Sequence, residues 1–125
     1  MLVVILAMHV TDEALTGFLS VYNPIVLQMR AAWSGFPMPT FTFGPWLGGL
    51  IVLVIVLALL TPGIRAGGSL ATGGSIVFAF LMFMNGIGHL AGSVYFSRWL
   101  PGATTAPLLL AGSAWLLRAT SNRIR

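Results

Sequence analysis

The segment WLGGLIVLVIVLALL, residues 46–60, carries no charged, hydroxyl, amide or carboxyl side chain. A run of this kind is typical of a helix surrounded by lipid. The rest of the chain agrees, because 58% of its 125 residues are hydrophobic and only 6% are charged, whereas a soluble domain has about 25% charged residues. So little polar surface cannot cover a globule in water. The bilayer is therefore the expected solvent, and the length allows about four crossings of roughly 20 residues each.

The breaks between the apolar segments predict an all-α fold, a four-transmembrane-helix bundle that forms a single domain. The helices are expected at residues 2–22, 46–60, 70–96 and 103–117, with an interfacial helix at 25–34 and turns at 35–45, 61–69 and 98–102. Tyr22-Asn23-Pro24 is expected to kink or end the first helix, because the residue before a proline avoids the α region. The opening segment lacks a basic start and a clear cleavage site, so it is interpreted as a retained helix rather than a signal peptide.

All the basic residues are arginines, and they lie where turns and termini are expected. With four crossings, one side of the membrane holds Arg65, Arg118, Arg123 and Arg125, and the other side holds Arg30 and Arg98. Because cytoplasmic loops carry an excess of basic residues, both termini are expected in the cytoplasm and the protein in a bacterial cytoplasmic membrane. The arginines are too scattered for a nucleic-acid-binding surface, and the absence of cysteine excludes disulfides and thiolate metal ligands.

Both acids and both histidines of the chain fall inside two of the predicted helices. His9, Asp12 and Glu13 are spaced i, i+3 and i+4, so they share one face of the first helix. Asn85 and His89, at i and i+4, share a face of the third. A charged side chain near the bilayer centre costs about 2.5–3.5 kcal/mol even on the lenient insertion scale. The acids are therefore expected to face the bundle interior and to find partners there.

These five residues form the candidate catalytic site, and two kinds of chemistry fit them. His9, Asp12, Glu13 and His89 offer enough ligands for one divalent metal, Zn²⁺ or Fe²⁺, but too few carboxylates for a di-iron centre. Without a metal, burial and a like-charged neighbour would keep one of the two acids protonated. Asp12 or Glu13 would then act as general acid or base, with His89 as its partner. The sequence leaves both alternatives open.

The expected function is a membrane-embedded enzyme that isomerises, cyclises or hydrolyses a lipophilic small molecule reaching the site from the membrane lipids. The alternative is a non-catalytic lipid- or ligand-binding protein, a homo-oligomer, or a small subunit of a larger membrane complex. Interhelical hydrogen bonds of about 0.6 kcal/mol each would give the polar groups a purely structural role. A proton pathway is disfavoured, because the second and fourth helices offer almost no ionisable residue. Gly88 and Gly92 are expected to let another helix approach closely.

These motifs resemble the HXXEE family of small membrane proteins. His9-Val10-Thr11-Asp12-Glu13 is similar to the H-x-x-E-E signature, the stretch from Asn85 to His89 to a later N-x-x-x-H, and Pro101-Gly102 to a P-G turn. In one departure, Asp12 stands where the family has glutamate, so its carboxylate is one methylene shorter. The resemblance implies that these residues matter and that the protein is an enzyme, and it implies no particular reaction.

Overall fold

The structure, a computed structural model, describes residues 1–122, without the side chain of Arg65. Within this part of the chain it is all-helical, with no strand. The five helices are α1 (Leu2–Thr16), α2 (Phe18–Ala32), α3 (Phe43–Ala66), α4 (Ser69–Tyr95) and α5 (Ala106–Ser121). Two of the arginines used to predict the orientation, Arg123 and Arg125, lie outside the described residues.

Two of these helices are long and apolar enough to cross a membrane: α3, over Phe43–Ile64, and α4. The pair α1 and α2 passes the same test together, but the pair is bent by 81°. Helix α5 has 16 residues, which gives a length of about 24 Å against a hydrocarbon core of about 30 Å. The all-α prediction is therefore confirmed, with two or three helices of membrane-crossing length and composition.

The expected helix break at Tyr22-Asn23-Pro24 is wrong, because the chain breaks earlier, at Gly17. Gly17 has φ 78° and ψ 45°, and its N–H donates to the carbonyl of Glu13. Glycine adopts this left-handed conformation without a steric penalty, which makes it a common helix terminator. Helix α2 then continues through Pro24. The predicted helices 2–22 and 25–34 are thus replaced by α1 and α2.

Tertiary hydrogen bonds explain why α2 continues through its proline. Asn23 donates from Nδ2 to the carbonyl of Phe41 and accepts the Phe41 N–H through Oδ1, at 2.8 and 3.0 Å. The Tyr22 hydroxyl donates to the Pro39 carbonyl at 2.9 Å, and the Arg30 guanidinium donates to the Met38 carbonyl. Residues 33–42 therefore lie along α2 and support the helix on both sides of Pro24.

Two further boundaries differ from the expected ones. Helix α3 runs through Pro62 to Ala66, so the predicted turn at 61–69 shrinks to Gly67 and Gly68. The last helix begins at Ala106 rather than 103, because residues 101–105 form a series of turns. These turns lie against the polar residues of α1.

Helix α5 packs closely against α4 and α1 at two glycines. A Cβ at Gly86 would lie 2.8 Å from a side-chain atom of α5, and a Cβ at Gly112 would lie 2.7 Å from a side-chain atom of α1. Small residues of this kind let helix backbones approach in a membrane. The close helix approach predicted at Gly88 is wrong, since nothing lies within 4 Å of a Cβ there, and Gly92 faces Leu100 of the next loop.

The buried apolar core joins three helices. Leu2 of α1, Ala79 of α4 and Leu109 of α5 form its centre. The core therefore lies toward the start of α1, and the polar residues of that helix lie about two to three turns further along.

Candidate functional site

The centre of the site is a buried cluster of His9, Glu13 and His89. His9 and Glu13 lie one turn apart on α1 and are 0% and 5% exposed, and His89 of α4 is 9% exposed. Oε1 of Glu13 lies 3.0 Å from Nε2 of His89 and 3.6 Å from Nε2 of His9. The two imidazole rings meet edge to face with centroids 4.7 Å apart. The carboxylate thus lies between the two rings.

The other nitrogen of His9 is held by the start of α5. Nδ1 of His9 lies 2.8 Å from Oγ1 of Thr105, the residue that immediately precedes the helix. The Thr105 hydroxyl and N–H both donate to Oδ2 of Asp12, at 2.9 and 3.1 Å. Asp12 therefore connects to His9 through Thr105, and the three groups tie α1 to α5.

The other nitrogen of His89 is held by the loop between α4 and α5. Nδ1 of His89 lies 2.7 Å from the carbonyl oxygen of Pro101. Ser93, one turn later on α4, donates to the His89 carbonyl at 2.8 Å and accepts the N–H of Leu100 at 3.1 Å. The serine therefore holds the loop in the position from which Pro101 reaches the imidazole.

Gly102 closes this side of the cluster. Its φ is 82°, in the region that favours glycine. A Cβ there would lie 2.6 Å from Cε1 of His89 and 3.1 Å from Cγ of Glu13. No side chain fits between the loop and the cluster, so the Pro101-Gly102 turn forms one wall of the site.

The structure brings three of the five candidate residues into one cluster, places Asn85 beside it and turns Asp12 away from it. His9, Glu13 and His89 each offer one ligand atom, and these atoms all lie within 4.8 Å of one another, close enough to hold a metal ion. Asp12, the fourth residue predicted as a ligand, is half-buried and points to Thr105 instead. Asn85 is half-buried and lies near His9. Within residues 1–122, however, no hydrogen-bond partner of acceptable geometry reaches Nε2 of His9.

An open pocket of about 420 Å³ adjoins the cluster at the break between α1 and α2. Its lining includes Glu13, Phe18, Asn23, Phe41, Phe43 and Trp46. Phe18 stacks on Trp46 with centroids 5.7 Å apart, and its ring lies at the same distance from that of His89. Glu13 is the one cluster residue in the pocket lining. The pocket is therefore rich in aromatic side chains, and the Glu13 carboxylate links it to the histidines.

Sequence reasoning missed Thr105 and the Pro101 carbonyl. A local signal for Thr105 existed, because a hydroxyl residue shortly before a proline at the first turn is typical of a helix start. Its pairing with Asp12, 93 residues away, has no local signal. The Pro101 carbonyl is a backbone group, and no residue type identifies it.

The chain belongs to the HXXEE family, described as "Protein of unknown function with HXXEE motif", which it matches over residues 1–116. The resemblance predicted from the motifs is confirmed. Searches of curated proteins and of solved structures found no match. The histidine and the last acid of the motif, His9 and Glu13, lie in the buried cluster, and Asp12 at the first acidic position binds the residue before α5.

Proposed function

We propose that this HXXEE protein is a membrane-embedded enzyme that acts on a lipophilic small molecule. The observation that carries the proposal is that Glu13 belongs both to the buried cluster and to the lining of the pocket. Its carboxylate lies 3.0 Å from His89 and also lines the aromatic pocket. A buried ionisable group in a membrane helix marks a functional site by default, and here it is reachable from a space large enough for a ligand.

The lining of the pocket indicates the class of substrate. Phe18, Phe41, Phe43 and Trp46 supply apolar and aromatic surface, while Glu13 supplies a charged or polar group. Small-molecule sites combine these features, an apolar wall for affinity and a few polar groups for orientation. The substrate is therefore an apolar molecule with a polar function that reaches Glu13, and it arrives laterally from the lipid.

The chemistry follows from the pair Glu13 and His89. At 3.0 Å the carboxylate and the imidazole can share a proton, so Glu13 can serve as general acid or base with His89 as its partner. If the cluster holds one divalent ion, that ion instead polarises a substrate oxygen or activates water. Isomerisation, cyclisation and hydrolysis are the reaction classes that either arrangement serves.

The enzyme proposal is tested by product formation in a mixture of natural lipids. The purified chain in detergent is incubated with a total lipid extract of bacterial membranes. The extract is compared before and after by liquid chromatography with mass spectrometry, which separates isomers of equal mass by their retention times. A new species should form with wild type and disappear with Glu13→Gln, which keeps the shape of the side chain. Thr16→Ala is the matched control on α1, because Thr16 is exposed and its hydroxyl bonds only within its own helix. If no species depends on Glu13, the proposal is wrong.

The same experiment separates catalysis from the alternative of a ligand-binding protein or complex subunit. A binder would retain a lipid through purification with both wild type and Glu13→Gln, and no product would form. The exposed surface of α3 favours contact with lipid or with partner helices, because none of its most apolar stretch is buried within the protein. Retention without turnover would therefore replace the enzyme by this alternative.

We further propose four crossings of the bacterial cytoplasmic membrane, with both termini in the cytoplasm. The bent pair α1 and α2 would form the first crossing, and the short α5 the last. Since the chain contains no cysteine, labelling of a single introduced cysteine shows on which side of the membrane that residue lies. A membrane-impermeant maleimide should label Met38→Cys in intact cells and Ser121→Cys only after permeabilisation. Labelling of Ser121→Cys in intact cells would contradict the crossing by α5.

A further inference from the structure

We propose that His9, Glu13 and His89 form a binding site for a single divalent transition-metal ion. The ligands are Nε2 of each histidine and Oε1 of the glutamate. The role of the ion in turnover rests on the proposed function, whereas its binding does not. Each histidine can bind the ion through Nε2 only if its proton lies on Nδ1.

The proton of His9 is placed by Thr105. A hydroxyl has one proton to donate, and that of Thr105 is directed to the Asp12 carboxylate at 2.9 Å. Its oxygen therefore accepts from His9, so Nδ1 of His9 carries the N–H of the 2.8 Å hydrogen bond. The neutral imidazole then presents a lone pair at Nε2, which points into the cluster.

The proton of His89 is placed by Pro101. A carbonyl oxygen only accepts, so Nδ1 of His89 is the donor in the 2.7 Å hydrogen bond to Pro101. The neutral imidazole again presents its lone pair at Nε2. The lone pairs of His9 and His89 and the Glu13 carboxylate thus converge within 4.8 Å.

Three buried acceptors facing one another need a positive centre between them. A single proton shared by Glu13 and His89 satisfies only the 3.0 Å contact. Among the described residues, Nε2 of His9 is fully buried and has no hydrogen-bond partner of acceptable geometry, and an unsatisfied buried polar atom destabilises the folded state. One cation bound to all three atoms satisfies Nε2 of His9 and removes the repulsion among the three acceptors.

The arrangement around the cluster matches that of known metal sites. Histidines that bind metals almost always donate the other ring N–H to a carboxylate, a backbone carbonyl or water. His89 follows this pattern directly through Pro101, and His9 follows it through Thr105, which is bonded to Asp12. Four-coordinate zinc with bonds of about 2.0–2.1 Å places its ligand atoms about 3.3 Å apart. The observed separations from Oε1 of Glu13, 3.0 and 3.6 Å, bracket this value, and the two Nε2 atoms lie within 4.8 Å of each other.

The ligand types select the kind of ion. Two imidazoles and one carboxylate suit Zn²⁺ or Fe²⁺, whereas Mg²⁺ and Ca²⁺ prefer oxygen ligands alone. Three protein ligands leave a position for water or substrate, as in catalytic zinc sites. Glu13 is the ligand that also lines the pocket, so this open position is expected on the pocket side.

Asp12 is then a positioning residue rather than a ligand. Its carboxylate accepts the proton of the Thr105 hydroxyl. The Thr105 oxygen therefore accepts from His9, which donates from Nδ1. In Asp12→Ala the hydroxyl keeps two nearby groups, the Gly102 carbonyl at 3.3 Å and Nδ1 of His9 at 2.8 Å. Donation to Nδ1, the nearer of the two, places the His9 proton at Nε2 and removes its lone pair toward the metal. Removal of such supporting groups lowers metal affinity by about 10–100-fold, and Asp12→Ala is expected to fall in that range.

The test is the metal content of the full chain, purified in detergent with an affinity tag that contains no histidine. After equilibration with Zn²⁺ and removal of free ion, wild type should hold about one zinc per chain, and His9→Ala or His89→Ala should hold almost none. Thr16→Ala is the control and should bind as wild type does. Since the chain has only two histidines and no cysteine, Co²⁺ in place of zinc should give visible absorption that disappears with either histidine.

A second measurement protects the test against variants that fail to fold. Wild type stripped with a chelator should regain the Co²⁺ absorption and a higher melting temperature when the ion is restored, because a ligand that binds only the folded state stabilises it. A wild-type chain without zinc and without Co²⁺ absorption overturns the inference, as does unchanged binding in both histidine variants. Bound metal without any Glu13-dependent product would leave the site in place and overturn the enzyme proposal. Product from metal-free protein would leave the enzyme proposal in place and overturn the role of the ion in turnover.

Discussion

Helices α1 and α3 are both apolar, but they relate to their surroundings in opposite ways. The most apolar stretch of α3 has none of its residues buried inside the protein. Helix α1 buries Leu2, Leu6, His9, Val10 and Glu13 against its neighbours. Lipid accepts any apolar side chain on α3, so composition is what matters there. On α1 the polar residues need specific partners, so position matters as well.

The largest effect is expected from a charge on α3. Ile55 is 52% exposed on that helix, and Ile55→Asp should cost about 3 kcal/mol of insertion free energy near the bilayer centre. An insertion assay that compares membrane-inserted and uninserted protein measures this cost. Ile55→Leu is the control and should insert as wild type does. Equal insertion of Ile55→Asp would show that α3 does not face lipid.

Adding one methyl group is expected to destabilise the protein at the site but not on α3. Gly102→Ala places a Cβ 2.6 Å from the His89 ring at a left-handed backbone position, which should destabilise the fold by about 2 kcal/mol or more. At Gly48 of α3 nothing lies within 4 Å of a Cβ, so Gly48→Ala should be neutral or slightly stabilising. Melting temperatures in detergent compare the two. Equal melting temperatures would mean that the loop does not press on the cluster.

Two adjacent threonines sharpen the comparison at the start of α5. Thr105→Val removes the hydroxyl that links Asp12 to His9. The free energy of unfolding should fall by about 1–3 kcal/mol, because the buried N–H of His9 loses its partner. Thr104 is exposed and only accepts from Trp99 Nε1, so Thr104→Val should change stability by less than about 0.5 kcal/mol. Thermal unfolding of both variants measures the difference. If Thr104→Val lowers the melting temperature more than Thr105→Val does, the hydrogen bonds that join Asp12, Thr105 and His9 do not stabilise the fold.

The smallest effect is expected where α2 supports the pocket. Asn23→Ala removes two hydrogen bonds to Phe41, and the cost should be about 1 kcal/mol, because these groups remain accessible to solvent or headgroups. The change should appear as faster proteolysis within residues 33–42. Ser20→Ala is the control, since the Ser20 hydroxyl bonds only to the nearby Gly17 carbonyl. Unchanged proteolysis would show that other contacts hold this loop.

The face shared by His9 and Glu13 was predictable because helical periodicity is local. Residues four apart in a helix lie on the same side, and both acids and both histidines were placed in apolar segments that need a bundle interior. The separation of Asp12 from Glu13 was not predictable. Neighbouring residues on a helix point about 100° apart, and only the position of α5 decides which of them reaches Thr105.

The sequence by itself determined the helical class, the apolar helices of membrane-crossing length, the family motif and the residues that needed buried partners, because composition and short-range spacing carry those features. The tertiary structure decided the break at Gly17, the contact of Glu13 with His89, and the hydrogen bonds of Thr105 and Pro101. The break at Gly17 arises from the local conformation of a glycine, whereas the other contacts depend on groups distant in the chain, including backbone carbonyls that residue type does not reveal. The proton positions on both histidines, and with them the proposed metal site, follow from these long-range contacts alone.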